Sequence, residues 1–126
     1  MIDLARRQVI AGGLLGGLIV LAPGVALAGG VPPVRAFFFD RRSAASSAQA
    51  RAHRAAGLAT FDGRRDDLGR VWRGDLPSLL AEGGVVAGLT PWSDLLIAEL
   101  SGRELGLRLE FHQPADDGLH QWTLGR

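Results

Sequence analysis

The 126-residue chain contains no cysteine, no tyrosine and no lysine. Its basic residues are fourteen arginines and three histidines. Without cysteine there are no disulfide bonds, and catalysis by a thiol is excluded. Without lysine, the chain does not have the phosphate-contacting residue that receiver-like domains require. These absences remove several reaction classes but specify no other.

Strong net charge is missing as well. Beyond residue 28 the basic count is 14 − 2 = 12 and the acidic count is 13 − 1 = 12, so the formal charge of that part is zero. Binding to nucleic acid or to an anionic membrane surface through net charge is therefore disfavoured. The length suits one domain, and we predict a single domain over residues 34–126.

The first 28 residues have the pattern of an export signal. Arg6 and Arg7 precede an uncharged apolar stretch, and Ala26-Leu27-Ala28 fits the small-x-small pattern that signal peptidase cleaves. We predict cleavage after Ala28, followed by a linker at residues 29–33. The arginine pair followed by Gln8 and two apolar residues resembles a twin-arginine (Tat) signal.

This signal predicts a periplasmic or otherwise exported protein, with the Tat translocase and signal peptidase as partners during export. Ala5 stands where Tat signals prefer Ser or Thr, so export by the Sec route is an alternative. Retention of residues 9–27 as a membrane anchor is a second alternative, which Pro23 and four glycines disfavour. After cleavage, the mature protein is not expected to be embedded in a membrane.

Apolar periodicity and turn residues predict the order β-α-β-α-β-α-β-β. Right-handed connections then give an α/β fold with three layers and a mostly parallel sheet of order 2-1-3-4-5, in which the C-terminal strand is an antiparallel edge. The third strand, within residues 84–90, is expected to be buried beside the first. A four-residue turn at residues 114–117 would place Phe111 opposite His120 and Leu109 opposite Trp122.

Two helices carry predicted buried faces. In the helix after Ser43 the buried face is the alanine row at positions 45, 48, 52 and 55, with His53 on the exposed side. In the helix that begins at Pro91, with Thr90 as its N-cap, the stripe Trp92, Leu96 and Leu100 is expected to face the core.

Ligands of such sheets bind where the strand order reverses, outside the carboxyl ends of the strands. Here that point lies between the first and third strands, and two helices begin there. Their N–H groups, two arginines and two hydroxyls predict a site for a carboxylate or phosphate group. The predicted ligand-binding residues are Asp40, Arg41, Arg42, Ser43, Thr90, Trp92, Ser93 and Asp94. The alternative is that Ser43 and Thr90 only cap helices and that the arginines pair with Asp94 or solvent.

No catalytic motif is present. The first strand ends in one aspartate followed by two arginines, so the Asp-x-Asp of haloacid dehalogenase-like phosphatases is missing, and there is no dinucleotide fingerprint or nucleophile elbow. His112 and His120 lie near one hairpin, but the predicted register points them to opposite faces. We therefore predict no metal, no cofactor and no catalytic residue.

The turn Gly88-Leu89-Thr90, the helix over residues 94–105 and the following Gly106-Leu107-Arg108-Leu109 resemble a group of small Tat-exported bacterial proteins of unassigned function. The likeness covers most of residues 34–124 and implies no activity. The sequence thus predicts an exported, non-catalytic binding or accessory module. The alternatives are an envelope enzyme that uses Asp40 or Asp94 as a base, and an assembly factor that pairs through its second or final strand.

Overall fold

The computed structural model describes residues 32–126, so the predicted signal peptide and most of the linker lie outside the described residues. The strands are β1 (Val34–Phe39), β2 (Ala59–Asp62), β3 (Val85–Pro91), β4 (Arg108–Pro114) and β5 (Leu119–Gly125). The helices are α1 (Ala44–Ala55), α2 (Leu68–Arg70), α3 (Leu76–Leu79) and α4 (Trp92–Arg103). A π-helical turn, Val71–Asp75, joins α2 to α3, and a 3₁₀ turn, Asp116–Gly118, joins β4 to β5.

The five strands form one mixed sheet of order β2-β1-β3-β5-β4, which confirms an α/β fold. β1 is parallel to both β2 and β3, as predicted, and the buried β3 lies beside it. The predicted order of the last two strands is wrong. β5 lies between β3 and β4 and is antiparallel to both, so the C-terminal strand is internal and β4 is the edge.

Apolar side chains fill both faces of the sheet. On one face α3, the preceding π-turn and α4 pack over β1, β3 and β5, around Phe38, Trp72 and Trp122. On the other face α1 packs over β1 and β3, around Phe37 and Leu89. The apolar run Phe37-Phe38 is buried because β1 has helices on both of its sides.

The predicted register of the last hairpin is also wrong. Leu109 lies opposite Leu124, and Phe111 lies opposite Thr123, because Glu110 is an extra residue that forms a β-bulge. The bulge shifts the pairing beyond it, so His112 lies opposite Trp122. Side chains two residues apart share a face, and His120 therefore projects on the same face as Trp122 and His112.

The buried face of α1 consists of Ser46, Gln49, Ala50 and His53, rather than the alanine row. His53, predicted to be exposed, has no exposed surface and stacks on Phe37 with ring centroids 4.3 Å apart. Gln49 is buried because its amide donates to Gln121 of β5 at 3.0 Å. Polar partners across the sheet thus decide the orientation of this alanine-rich helix. Within residues 32–126 no helix is long and apolar enough to cross a membrane.

Candidate functional site

The carboxyl ends of β1, β2 and β3 bring three aspartates together. Asp40 directly follows β1, Asp62 is the last residue of β2, and Asp94 lies in the first turn of α4, which follows β3. All three are buried, with exposed fractions of 1%, 5% and 6%. Buried carboxylates require partners, so the surrounding cations decide what this site can bind.

Asp40 is paired with Arg42. The Arg42 side chain donates from Nε to Oδ1 at 3.0 Å and from Nη2 to Oδ2 at 2.7 Å, and its backbone N–H adds a further bond to Oδ1 at 2.9 Å. This forked arrangement is the strongest geometry available to a guanidinium and a carboxylate. The hydrogen bonds from Arg42 hold the pKa of Asp40 below its ordinary value, although burial opposes them. Asp40 therefore stays ionised.

Arg64 connects the aspartates of different strands. Its Nη2 donates to Asp94 Oδ1 at 2.7 Å, its Nε lies 3.7 Å from Asp40 Oδ2, and its backbone N–H donates to Asp62 at 2.8 Å. Arg64 is not among the predicted site residues, because it begins the mixed charge run Arg64-Arg65-Asp66-Asp67, a pattern typical of the solvated start of a helix. The turn Asp62-Gly63 that precedes it was the available signal, since that turn returns the chain to the end of the sheet.

Asp94 has an incomplete set of partners. Its Oδ2 is buried without a hydrogen bond, and it lies so close to Gly63 that a side chain there would collide with it. Burial raises the pKa of Asp94 above its ordinary value, even though Arg64 favours the charged form. Gly63 covers this oxygen, so the unpaired acceptor faces the protein rather than an open surface.

Two serines order the start of α1. Ser43 caps the helix by accepting from the backbone N–H of Ser46 at 3.1 Å, as predicted. Ser46, which the sequence analysis did not single out, accepts from the backbone N–H of Asp40 at 2.8 Å and donates to the carbonyl of Leu89 at 2.6 Å. Its hydroxyl thus joins the ends of β1 and β3, and it is not available to a ligand.

Of the remaining predicted residues, only Arg41 contacts this cluster. Thr90 is not an N-cap: it lies within β3, buried, where its hydroxyl accepts from Trp122 Nε1 at 2.9 Å. Trp92 and Ser93 are exposed at the start of α4, and the Trp92 side chain is 55% exposed. Arg41 is exposed as well, with its Nε 3.9 Å from Asp62. The structure brings Asp40, Arg41, Arg42, Ser43 and Asp94 to the same end of the sheet, and binding of a ligand by them stays a prediction.

A shallow hollow of about 290 Å³ lies near this end of the sheet, between the start of α1 and the β4–β5 turn. Ala45, Leu89 and Pro114 are among its lining residues, and none of the predicted site residues lines it. A second hollow, of about 520 Å³, lies at the opposite end beside Val34 and Leu58. None of the three clustered aspartates lines either hollow, and neither do Arg42 and Arg64.

The outer face of α4 is the second notable feature of this region. The predicted core stripe is wrong: Asp94, Leu95, Ala98 and Gly102 face the sheet. Trp92, Leu96 and Leu100, spaced four residues apart, instead form an exposed apolar row, with Ile97 beside it. Their side chains are 37–55% exposed. Asp94 lies on the inner face of α4 with Leu95 and Ala98, and there Arg64 holds its carboxylate.

Comparison of the chain with models of known protein families, with curated proteins and with solved structures finds no match in any of the three.

Proposed function

We propose that the mature chain is an exported, non-catalytic accessory module that binds another protein through the outer face of α4. The observation that carries this proposal is the apolar row Trp92, Leu96 and Leu100. Trp92 and Leu100 are 55% and 52% exposed, at opposite ends of one helix face. Contiguous apolar surface of this kind marks interaction sites, and tryptophan is over-represented among the residues that dominate binding energy.

The expected partner is a protein with an apolar groove that accepts a helix. The α4 face presents anchors at the i, i+4 and i+8 positions, which is the arrangement by which amphipathic helices enter such grooves. α4 is held rigidly for this purpose, because Leu95 and Ala98 are buried against the sheet and Arg64 fixes its first turn. A rigid helix loses little conformational entropy on binding.

Two other functions receive less support. An anionic ligand at the strand ends would meet three buried aspartates, and Arg42 and Arg64 already donate to Asp40 and Asp94 there. An enzyme that uses Asp94 as a base would need access to a carboxylate that Gly63 covers. The enzyme would therefore require the loop at Gly63 to move before chemistry.

Assembly through a sheet edge is also less supported. β5 is internal, so the final strand has no free edge, and β2 spans only four residues. β4 is an edge, but its bulge at Glu110 and its terminal Pro114 are features that oppose pairing with another strand. The α4 face is therefore the better candidate for contact.

The test is site-specific photocrosslinking in cells that express the full chain. A photoreactive residue at position 96 or 100 should give a discrete crosslinked product, which mass spectrometry identifies and which reciprocal labelling of that partner reproduces. The matched control is position 51, an exposed residue of α1. Equal labelling from both helices would contradict the proposal, and a product of twice the mass of the chain would identify a second copy as the partner.

Export is tested separately. Replacing Arg6 and Arg7 together by lysine should block the appearance of the mature protein if the route is Tat, because that pathway depends on the paired arginines. The mature protein should begin at Gly29. Normal export of the double-lysine variant would indicate Sec, and a retained Met1 on exported protein would indicate an anchor.

A further inference from the structure

The hairpin β4–β5 places two histidines in direct contact. His112 Nε2 and His120 Nδ1 are 2.8 Å apart, and both rings lie on the face of the sheet that carries Trp122. The predicted register separated these rings onto opposite faces. The bulge at Glu110 brings them together, so the reason for discounting a metal here does not hold.

We propose that His112 and His120 form a binding site for a divalent transition-metal ion, and that copper(II) is the ion bound most tightly. Neutral imidazole nitrogens are good ligands for copper, nickel and zinc, and among divalent first-row ions copper(II) binds such sites most strongly. The site is independent of the α4 surface and of the proposed accessory function.

The separation of the nitrogens favours a square-planar or tetragonal ion. A metal about 2.05 Å from each of two nitrogens that are 2.8 Å apart subtends about 86°, close to the right angle of adjacent square-planar positions. Tetrahedral zinc would need the nitrogens about 3.3 Å apart. The present separation is thus about 0.5 Å short of the zinc geometry and close to that of copper(II).

Both rings must rotate by tens of degrees for either ion, which breaks the N–H···N hydrogen bond that now joins them. Their centroids are 5.0 Å apart, and the line between the two nitrogens accounts for most of this distance, so the nitrogens point at one another. A metal requires both lone pairs to converge beside that line. Rotation about each Cβ–Cγ bond supplies this change. The His112 ring is exposed and the His120 ring only partly buried, and the two metal–nitrogen bonds replace the hydrogen bond that is lost.

The backbone beneath the rings is held in place. His120 belongs to β5, which is hydrogen-bonded to β3 on one side and to β4 on the other, and it lies opposite Thr90. His112 lies opposite Trp122, which has no exposed surface. The distance between the two strands is therefore fixed before a metal binds, so less of the free energy of binding is lost in ordering the two side chains.

The described residues contain no group of three or more His, Cys, Asp or Glu side chains placed to hold a metal. Two protein ligands leave the other coordination positions to water or to a group from another molecule. The site is thus expected to bind more weakly than a structural metal centre and to remain open at the surface.

The test is a titration of the untagged protein with copper(II), nickel(II) and zinc(II), followed by calorimetry and by electron paramagnetic resonance of the copper form. We expect one copper ion per chain, bound more tightly than zinc, with a spectrum that shows two nitrogen ligands. His112→Gln and His120→Gln should each lose this binding and the two-nitrogen signal. His53→Leu is the matched control, because His53 is buried in the core and should not contribute.

Because His112 is exposed and His120 is only partly buried, the glutamine variants should keep the thermal stability of the metal-free protein, which a melting curve without metal checks. Copper binding that is unchanged in both glutamine variants would overturn the proposal, as would a wild-type protein that binds no copper. Magnesium, which prefers oxygen ligands, should not bind.

Discussion

His53 should make the stability of this protein depend on pH. Both of its ring nitrogens are buried without a hydrogen-bond partner, against the ring of Phe37. Charging a ring in these surroundings is unfavourable, and burial lowers the pKa of His53 from 6.5 to about 4. The unfolded chain, in which the ring is in water, therefore binds a proton at a higher pH than the folded chain.

The sign and size of the effect follow from this difference. Between pH 6.5 and pH 4 the unfolded state binds more protons, so the free energy of unfolding falls as pH falls. The stability that the neutral His53 ring contributes is fully present above pH 6.5 and is lost as the pH falls to about 4. Since a tenfold change in proton affinity is about 1.4 kcal/mol, the loss amounts to about 3 kcal/mol.

Other groups with shifted pKa values do not produce the same loss. Burial raises the pKa of Asp94 and of Glu110, so the folded state gains stability from these carboxyls as pH falls. The pKa of Asp40 is lowered from 3.8, so its contribution is lost only at still lower pH. A decrease in the free energy of unfolding between pH 6.5 and 4 that disappears when residue 53 is replaced can therefore be assigned to the titration of His53.

The assay is urea unfolding at several pH values, followed by the fluorescence of the buried tryptophans, for wild type and His53→Leu. Leucine fits the apolar surroundings and leaves no unpaired nitrogen, so the variant should be at least as stable near pH 4 and should lose about 3 kcal/mol less between pH 6.5 and 4 than wild type does. Parallel curves for the two proteins would refute the reasoning. So would an NMR titration of His53 in the folded protein with a midpoint near 6.5.

The remaining predictions concern the sheet's carboxyl end and its core. Gly63→Ala should destabilise the protein by about 1–3 kcal/mol in chemical unfolding, because its methyl group would collide with the Asp94 carboxylate. Its control, Gly74→Ala, has no atom within 4 Å of the new methyl and should be neutral or stabilising by up to about 1 kcal/mol. Arg64→Ala should cost about 2 kcal/mol, less than a fully buried pair because the arginine is 36% exposed, and Asp94→Asn in that background should recover part of the loss; a double variant no more stable than the single one would contradict the ion-pair argument. Gly88→Ala should cost about 3 kcal/mol or more, since the methyl would enter the ring of a tryptophan that has no exposed surface, and a soluble variant with wild-type thermal stability would contradict that packing.

The sequence alone determined the alternation of strands and helices. Apolar runs such as residues 85–89 and turn glycines such as Gly57, which has a φ of +88°, are local signals that do not depend on the rest of the chain. The adjacency of β1 and β3 also followed, because both strands are apolar on both faces and need central positions. The predicted export signal lies outside the described residues and stays a prediction.

Only the tertiary structure decided which faces are buried and which residues meet. On α1, Ser46 and Gln49 face the sheet because they hydrogen-bond to Leu89 and Gln121, and His53 faces it stacked on Phe37. On α4, Asp94 faces the sheet with Leu95 and is paired with Arg64, so the apolar row faces outward. Such pairings have no periodic signature.

The position of β5 and the meeting of the two hairpin histidines were likewise beyond the sequence. Either strand of the hairpin satisfies the apolar pattern next to β3, and the choice depends on burial of Trp122 against β1 and β3 as a whole. The bulge at Glu110 then moved every pairing beyond it, because side chains alternate and one added residue exchanges the two faces of a strand. Local chemistry thus specified the elements, and long-range packing specified the surface that each element presents.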